Sequence, residues 1–332
     1  MTIRKLANLL GVSDATVSLA LRNHPRISRP TRERVQRLAA ETGYRGNVLV
    51  NALLTQVRRG RVGASSEVIA LLLEGDAMQD SPSVVEGTRI AQQRALQLGM
   101  DLQIFFLGKL GEKSAQVDRI MFNRGIRGVI VAPMSLNLKR LVFDWSHYAW
   151  AAVGYSFQQQ MMNRVANAHF AGLLTCYEGL RKAGCKRIGC VLSRDEDKRA
   201  RYYWHAGAKS GPYIHGGAAV PPLMFEEPFR RREFEDWFRR HRLDAVIGNY
   251  PDYAAKWITE LRLDACYATL DLHDHVPWSG IRQSWGGIFS AAVDQLAGEL
   301  ARNEFGLPAF PQVTLIEGVW TEGASRPAKG KA

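Results

Sequence analysis

The sequence predicts a small helix-turn-helix head followed by a larger, two-lobed α/β body. Three observations lead to this fold class. Residues 2–23 carry two short helical patterns joined at Gly11, and most of the positive charge lies in the first 62 residues. Beyond residue 66, apolar runs of strand length alternate with helical patterns, and the alternation restarts near residue 165. With 332 residues and 46% hydrophobic content, the chain can bury a large core that divides in two.

The head begins with two amphipathic helices in the stretch TIRKLANLLGVSDATVSLALRN. Gly11 permits the tight turn between them, and the hydroxyls of Thr2 and Ser13 can cap their amino termini. Apolar residues recur on one face of each helix: Ile3, Leu6 and Leu10 in the first, and Val17, Ala20 and Leu21 in the second. This phase leaves five residues of the second helix on or beside its exposed face, namely Asp14, Ala15, Thr16, Ser18 and Leu19.

Positive charge is concentrated in this head. Residues 1–62 contain twelve lysines and arginines against Asp14, Glu33 and Glu41, a net charge of +9 out of +12 for the whole chain. A solvated helical surface usually mixes both signs, whereas a one-sided excess beside a helix-turn-helix favours a phosphate backbone as partner. We therefore predict binding to double-stranded DNA. The alternative is a helical hairpin that only packs on the rest of the chain.

A third helix and a linker complete the amino-terminal part. The helix begins near Ser28, which can cap it, turns Val35 and Leu38 toward the head core, and stops at Gly43. Residues 47–57 are apolar on nearly all faces and too short for a stable isolated helix, so they need a partner. A linker helix packed on the body is the alternative. We place the head at residues 1–46, the hinge helix and linker at 47–62, the body at 63–323 and a tail at 324–332.

The body alternates strands with helices, which predicts parallel sheets flanked by helices. One helix is expected over residues 84–98, and a last strand at 313–318 is expected to cross back to the first half. The other expected strands are residues 68–73, 102–107, 128–132, 149–155, 187–192, 220–225, 244–248 and 266–270. This pattern resembles the two-lobed fold of periplasmic binding proteins. In that fold the ligand lies between the lobes, at the carboxyl ends of strands.

Motifs for catalysis and metal binding are missing from the sequence. There is no GxGxxG, GxxxxGK[ST], GxSxG or HExxH pattern, so we predict no enzyme activity and no cofactor. His273, Asp274 and His275 could suggest a metal, but no fourth ligand is spaced nearby, which favours a solvated loop. The cysteines form no CxxC pair, which indicates reduced, mostly buried thiols at Cys176, Cys185, Cys190 and Cys266.

The sequence also predicts a cytoplasmic protein with no membrane partner. No basic segment followed by an apolar one opens the chain, so we expect no secretion signal. The longest apolar runs, such as residues 68–73, are far too short to cross a bilayer.

Three motifs of the head occur in an order that is specific to one family. They are TIRKLANLLGVSDATVSLALRNHPRIS, TRERVQRLAAETGYRGN and VLVNALL, and together they cover residues 2–54. This stretch resembles the head of the LacI (lactose repressor) family of bacterial transcription regulators. A weaker resemblance continues to about residue 323, through LRKAGCKRIGCV and GIRQSWGGIFSAAVDQL. The resemblance implies a homodimeric repressor of transcription whose affinity for its DNA operator is modulated by a small molecule.

The resemblance also implies which residues contact DNA. In the family a hinge helix pairs with its twin on DNA, and a leucine, here Leu53, wedges into the minor groove. Gly46 replaces the family's usual proline at the hinge entry, and Leu19 stands where arginine is common. The expected DNA-binding residues are Thr2, Ser13, Asp14, Ala15, Thr16, Ser18, Leu19, Arg22, Asn23, Arg26, Tyr44, Asn47 and Leu53.

By the same resemblance, the expected effector is a saccharide held between the lobes. The carboxylate of Asp271 and the amide of Asn249 would bind sugar hydroxyls, while the indole of Trp285 would stack on a pyranose face. Helix capping and core packing are the alternative roles. Trp204 occupies the position of a usual arginine, for which Arg201 or Arg199 could substitute. The expected effector-binding residues are Arg201, Trp204, Asn249, Asp271 and Trp285.

Two other functions stay open at this level. The first is a DNA-binding regulator whose body serves only as a platform for a dimer or another partner, which the lack of a thermal shift with any sugar would favour. The second is a cytoplasmic enzyme or sugar-binding module with an incidental basic head, which ligand handling without DNA binding would favour.

Overall fold

The computed structural model describes residues 3–21, 27–42, 67–75, 81–249, 251–272 and 277–323. The head consists of α1 (Ile3–Leu10), α2 (Asp14–Leu21) and α3 (Arg29–Glu41). Their shared core contains Leu6, Val17 and Val35, each with 1% or less of its surface exposed. Gly11 joins the first two helices with a φ of 65°, a left-handed conformation that glycine adopts without steric cost.

Ser13 caps its helix as predicted, whereas Ser28 does not. Ser13 caps α2, because its hydroxyl accepts a hydrogen bond from the backbone N–H of Thr16 at 3.1 Å. Ser28 holds the corresponding position before α3, but its hydroxyl pairs with the Thr31 hydroxyl at 2.9 Å and makes no backbone cap. The predicted stop of α3 at Gly43 lies outside the described residues.

The first lobe is built on a parallel sheet of six strands. Across the sheet the strands lie in the order β11 (Val313–Ile316), β5 (Asn163–Asn167), β4 (Ala149–Val153), β3 (Gly128–Val131), β1 (Glu67–Leu73) and β2 (Met100–Phe106), and all but β11 come from the first half of the chain. The elements are β1 (Glu67–Leu73), α4 (Pro82–Gln97), β2 (Met100–Phe106), α5 (Ser114–Asn123), β3 (Gly128–Val131), β4 (Ala149–Val153) and β5 (Asn163–Asn167), with short 3₁₀ turns at Lys109–Gly111 and Trp145–His147.

The second lobe repeats the scheme. Its sheet has the order β12-β10-β9-β8-β6-β7, and only β12 runs antiparallel to its neighbour. The elements are α6 (His169–Lys182), β6 (Ile188–Ser193), α7 (Arg194–Arg199), α8 (Tyr203–His215), β7 (Leu223–Phe225), α9 (Arg231–His241), β8 (Ala245–Gly248), a π-helical turn (Pro251–Ala255) that leads into α10 (Lys256–Glu260), β9 (Cys266–Thr269) and β10 (Ser279–Arg282).

The chain crosses between the lobes three times. The first crossing joins β5 to α6, and the second joins β10 to α11 (Trp285–Arg302). Helix α11 returns to the first lobe, where Ile288, Phe289 and Leu296 join the core of the first sheet. The third crossing joins β11 (Val313–Ile316), which pairs with β5, to β12 (Val319–Thr321), which pairs with β10. The predicted return of the last strand is therefore confirmed.

The sequence missed three short strands. These are β5, β10 and β12, which have three to five residues each and lack a continuous apolar run. Pairing with neighbouring strands stabilises such segments, and local sequence carries little sign of it. The predicted strand 149–155 ends at Val153, and the one predicted at 220–225 begins only at Leu223.

The described part of the chain holds all four cysteines, each inside the core of the second lobe. None of the four cysteines forms a disulfide and all four are buried, as the sequence indicated. None of the described helices is long and apolar enough to span a membrane. The described residues contain no cluster of three metal-ligating side chains, and His273, Asp274 and His275 lie outside them.

Candidate functional site

A cavity of about 310 Å³ lies between the two lobes. Parallel strands of both sheets end there, so the residues that follow β3, β4, β5, β8 and β9 meet at one place. The first lobe contributes Pro133, Gly154, Tyr155, Ser156 and Asn167, and helix α11 adds Ile288. The second lobe and the crossings contribute His169, Glu196, Arg199, Ala200, Trp204, Asn249, Asp271, Gln283 and Trp285.

Four buried polar atoms of the cavity wall have no hydrogen-bond partner among the described residues. They are Asn167 Oδ1, His169 Nδ1, Asn249 Oδ1 and Trp285 Nε1. A buried polar group without a partner costs about 1–3 kcal/mol, so native structures seldom leave several together. Acceptors and a donor at one cavity wall complement a ligand rich in hydroxyl groups, each of which can donate and accept.

His169 is held neutral by burial, which lowers its pKa to about 4. It is the first residue of α6, directly after the first crossing, and its ring lies 4.9 Å from the ring of Trp204. A neutral imidazole donates from one nitrogen and accepts at the other. His169 can therefore hydrogen-bond a neutral ligand without bringing a charge into the cavity.

Asp271 and Asn249 reach the cavity because each follows the carboxyl end of a central strand of the second sheet, β9 and β8 respectively. The backbone N–H of Asp271 donates to the Thr269 hydroxyl at 3.4 Å, which fixes the turn after β9. Gln283 closes the same corner by donating from Nε2 to the Leu270 carbonyl at 2.9 Å. Carboxylate, amide and indole groups thus converge on one space.

The structure brings four of the five expected effector-binding residues to the cavity: Trp204, Asn249, Asp271 and Trp285. Arg201 is the exception. Its φ of 53° lies in the break between α7 and α8, and its guanidinium lies 5.9 Å from the ring centroid of Tyr155 instead of at the cavity wall. Arg199, from the preceding helical turn, lines the cavity in its place, with Nε 3.9 Å from Glu196 Oε1.

Sequence reasoning missed Asn167, His169, Tyr155 and Glu196. Asn167 and His169 flank a crossing that follows an unrecognised strand, so no local pattern marked them. A usable signal was the end of the predicted strand at 149–155, since polar residues that follow a parallel strand line such clefts. Tyr155 and Ser156 occupy that position.

The head presents a second candidate site on α2. Ser13 and Asp14 are exposed at its amino terminus, and Thr16 and Leu19 are half-buried. The hydroxyls of Ser13 and Thr16 are 2.9 Å apart. The side chains of Ala15 and Ser18 are outside the described part of the structure. The other expected DNA-binding residues lie outside the described residues altogether: Thr2, Arg22, Asn23, Arg26, Tyr44, Asn47 and Leu53.

Comparison with known proteins identifies the head. Residues 2–47 match the lacI family of bacterial regulatory proteins. This segment belongs to the LacI family. The maltose regulon regulatory protein MalI of Escherichia coli is 33% identical over 132 residues, which are 40% of this chain and 35% of MalI. The transcriptional regulator AglR of Rhizobium meliloti is 44% identical over 55 residues, 17% of this chain and 15% of AglR. The matches thus span about a third or less of the length of these two relatives.

Solved structures share the fold of the whole chain. The regulator CelR in complex with cellobiose has a TM-score of 0.59 at 15% identity and covers 98% of this chain and 99% of its own. The Lac repressor dimer bound to operator and the anti-inducer ONPF has a TM-score of 0.56 at 16% identity and covers 98% of each chain. The LacI-type head is therefore joined to the two-lobed body that the sequence predicted.

Proposed function

We propose that this chain is a DNA-binding transcription regulator, a homodimeric repressor whose operator affinity changes when a saccharide or saccharide derivative binds between its lobes. One observation carries the proposal. A LacI-family head is joined to a cavity whose wall holds four buried polar atoms without partners among the described residues. In this proposal the head binds DNA, and the cavity binds the small molecule that changes the affinity for DNA.

The cavity wall supports a saccharide as the effector. Asn167, Asn249 and Asp271 offer acceptors, and an amide or neutral imidazole can also donate. The indoles of Trp204 and Trp285 offer apolar faces of the kind on which sugar rings stack. Related folds have been solved with cellobiose and, in a CcpA regulator, with glucose.

Charge supports DNA as the macromolecular partner. The first 62 residues hold +9 of the chain's net charge of +12, which favours a polyanion. The Lac repressor, whose fold this chain shares, was solved as a dimer on its operator. We extend that assembly to this chain, place it in the cytoplasm with access to the chromosome, and assign the cavity a binding role with no catalytic step.

The test is selection of operator DNA followed by release. The intact protein is incubated with genomic fragments, and a bound fragment is then titrated with cellobiose, maltose, glucose and their phosphates. We expect nanomolar binding to one fragment. The logarithm of the association constant should fall with the logarithm of the salt concentration, at a slope near −0.9 per neutralised phosphate. One of the saccharides should release the fragment. Salt-independent binding would refute the DNA role. If no saccharide alters DNA binding or shifts the unfolding temperature of the protein, the saccharide role is refuted and the body serves only as a platform for a dimer or another partner.

A further inference from the structure

Side chains from the two lobes meet beside the cavity, at Tyr155 of its wall. Tyr155, which follows β4 in the first lobe, lies with its ring centroid 5.4 Å from that of Tyr203 in the second lobe. The Arg201 guanidinium lies 5.9 Å from the centroid of the same Tyr155 ring. A few residues away, Gln158 Nε2 of the first lobe donates to the Lys198 carbonyl of the second at 3.3 Å. These contacts join the lobes outside the three covalent crossings.

The second-lobe side of this contact is a strained turn. Arg201 and Tyr202 have φ values of 53° and 63°, a left-handed conformation that crowds Cβ of a non-glycine residue against its own backbone. Such strain persists only where surrounding contacts enforce it. Buried Asp197 enforces it here: its carbonyl accepts from the Tyr202 N–H at 2.7 Å, and its carboxylate accepts from the His205 N–H at 3.1 Å.

The first-lobe side is rigid. Arg164 is 5% exposed, and its guanidinium donates to the carbonyls of Gly154 and Phe157 at 3.1 and 3.2 Å, which fixes the loop that carries Tyr155. The same guanidinium lies 5.7 Å from the Tyr155 ring. Burial together with the neighbouring Tyr203 hydroxyl raises the pKa of Tyr155 to about 12, so the phenol stays protonated. Tyr155 is thus a fixed, neutral surface for the opposite lobe.

We propose that residues 201–203 and Tyr155 form an interlobe latch, which holds the lobes in the closed arrangement through contacts of the protein's own side chains. Three features carry this assignment. The contacts join residues of different lobes, they involve Tyr155 of the cavity wall, and the turn that makes them is held in its left-handed conformation by hydrogen bonds to buried Asp197. Arg201 follows the end of α7, where a left-handed residue commonly closes a helix, but Tyr202 extends this conformation to a second consecutive non-glycine residue.

The regulatory consequence rests on the proposed function. A ligand that binds only the closed arrangement has an apparent dissociation constant equal to its intrinsic constant divided by the closed fraction. The latch raises that fraction before any effector binds. Weakening it should therefore weaken effector binding, and it should move the operator affinity of the effector-free protein opposite to the change that the effector causes.

The test measures lobe separation directly and needs neither DNA nor effector. Spin labels are attached to cysteines introduced at Gln116 on α5 and Arg240 on α9, both exposed, while the four native thiols are buried. Labelled chains are diluted with unlabelled ones, so that the measured distance lies within one chain. Pulsed electron resonance then gives the ratio of open to closed lobes.

We expect a predominant closed distance in the parent protein, with a minor open population that sets the baseline ratio. Tyr203→Ala should raise the open-to-closed ratio about two- to tenfold, as expected for losing one aromatic contact and hydroxyl. Tyr155→Ala should raise it equally, and the double variant should add little, because both remove the same contact. Tyr213→Ala is the matched control, since this α8 tyrosine is 91% exposed.

Two results would overturn the latch. One is a distance distribution for Tyr203→Ala that equals that of Tyr213→Ala. The other is full additivity of the Tyr155 and Tyr203 variants, which would indicate two separate structural roles. Urea unfolding of each variant checks that it is folded. Failure of the regulator proposal would appear instead as loss of DNA binding by the parent protein, while the distances would still decide the latch.

Discussion

The imidazole of His169 meets the indole of Trp204 edge to face, with ring centroids 4.9 Å apart and an interplanar angle of 75°. The two residues lie at the amino termini of different helices, α6 and α8, and both line the cavity. Trp204 stands where the resemblance to LacI regulators leads one to expect arginine. The wall at this point is therefore aromatic and neutral, which suits the apolar face of a saccharide better than a phosphate.

Replacing His169 should remove a pH dependence of stability. Burial holds its folded pKa near 4, below the ordinary value of 6.5, so the unfolded chain binds a proton that the folded protein excludes. The contribution is complete above pH 6.5 and is lost as the pH falls toward 4, by roughly 3 kcal/mol. In urea unfolding between pH 4 and 7, His169→Gln should lose this slope, and His205→Gln, outside the cavity wall, should keep it. If stability falls with pH equally in His169→Gln and the parent, the lowered pKa of His169 is contradicted.

Asp271→Ala should weaken the response to the effector at least tenfold and leave effector-free operator binding nearly unchanged. Asp271 lines the cavity, whereas the DNA-binding head is a separate helical unit with its own core. Losing a carboxylate that accepts hydrogen bonds from ligand hydroxyls should raise the release midpoint by at least tenfold, about 1.5–3 kcal/mol. The measurement is operator release by the saccharide found in the screen, with exposed Asp195→Ala as control. A parental midpoint in Asp271→Ala would place the pocket elsewhere.

Gly87→Ala should destabilise the first lobe. A Cβ on Gly87 of α4 would overlap the ring of Phe289 on α11, and the two helices pack along each other. Overpacking of this kind costs about 1–3 kcal/mol. Gly298→Ala on α11 is the matched control, because its Cβ would meet only the flexible end of Arg302 and alanine favours helix by up to about 1 kcal/mol. Urea unfolding midpoints should move in opposite directions, and similar shifts would refute the packing argument.

Leu19→Arg should change the base preferred at one position of each operator half-site. Leu19 on α2 can offer only apolar contact, for example to a thymine methyl, whereas arginine pairs bidentately with guanine. The readout is the consensus obtained by selection from random DNA. Leu9→Arg, on the exposed side of α1, adds the same charge and should strengthen binding without changing the consensus. An unchanged consensus in Leu19→Arg would exclude Leu19 from base reading.

The sequence by itself determined the elements that rest on local periodicity. Apolar residues at helical spacing encode the head helices, such as Leu6 and Leu10 in α1 and Val17 and Ala20 in α2, because one face of an amphipathic helix packs on its neighbours. The alternation of apolar runs with helical patterns encodes the two mostly parallel sheets in the same way. Asp271 and Asn249 could be selected because polar residues that follow central parallel strands meet at one sheet edge.

Only the tertiary structure decided how the lobes are joined and what completes the cavity. Strands β5, β10 and β12 gain their stability from pairing with neighbours far away in sequence, so their own residues do not reveal them. Because these strands set the crossings, the placement of Asn167 and His169 in the cavity was hidden as well. The exchange of Arg201 for Arg199 depends on a left-handed turn that hydrogen bonds to buried Asp197 hold in place, and non-glycine residues seldom favour such a turn on their own.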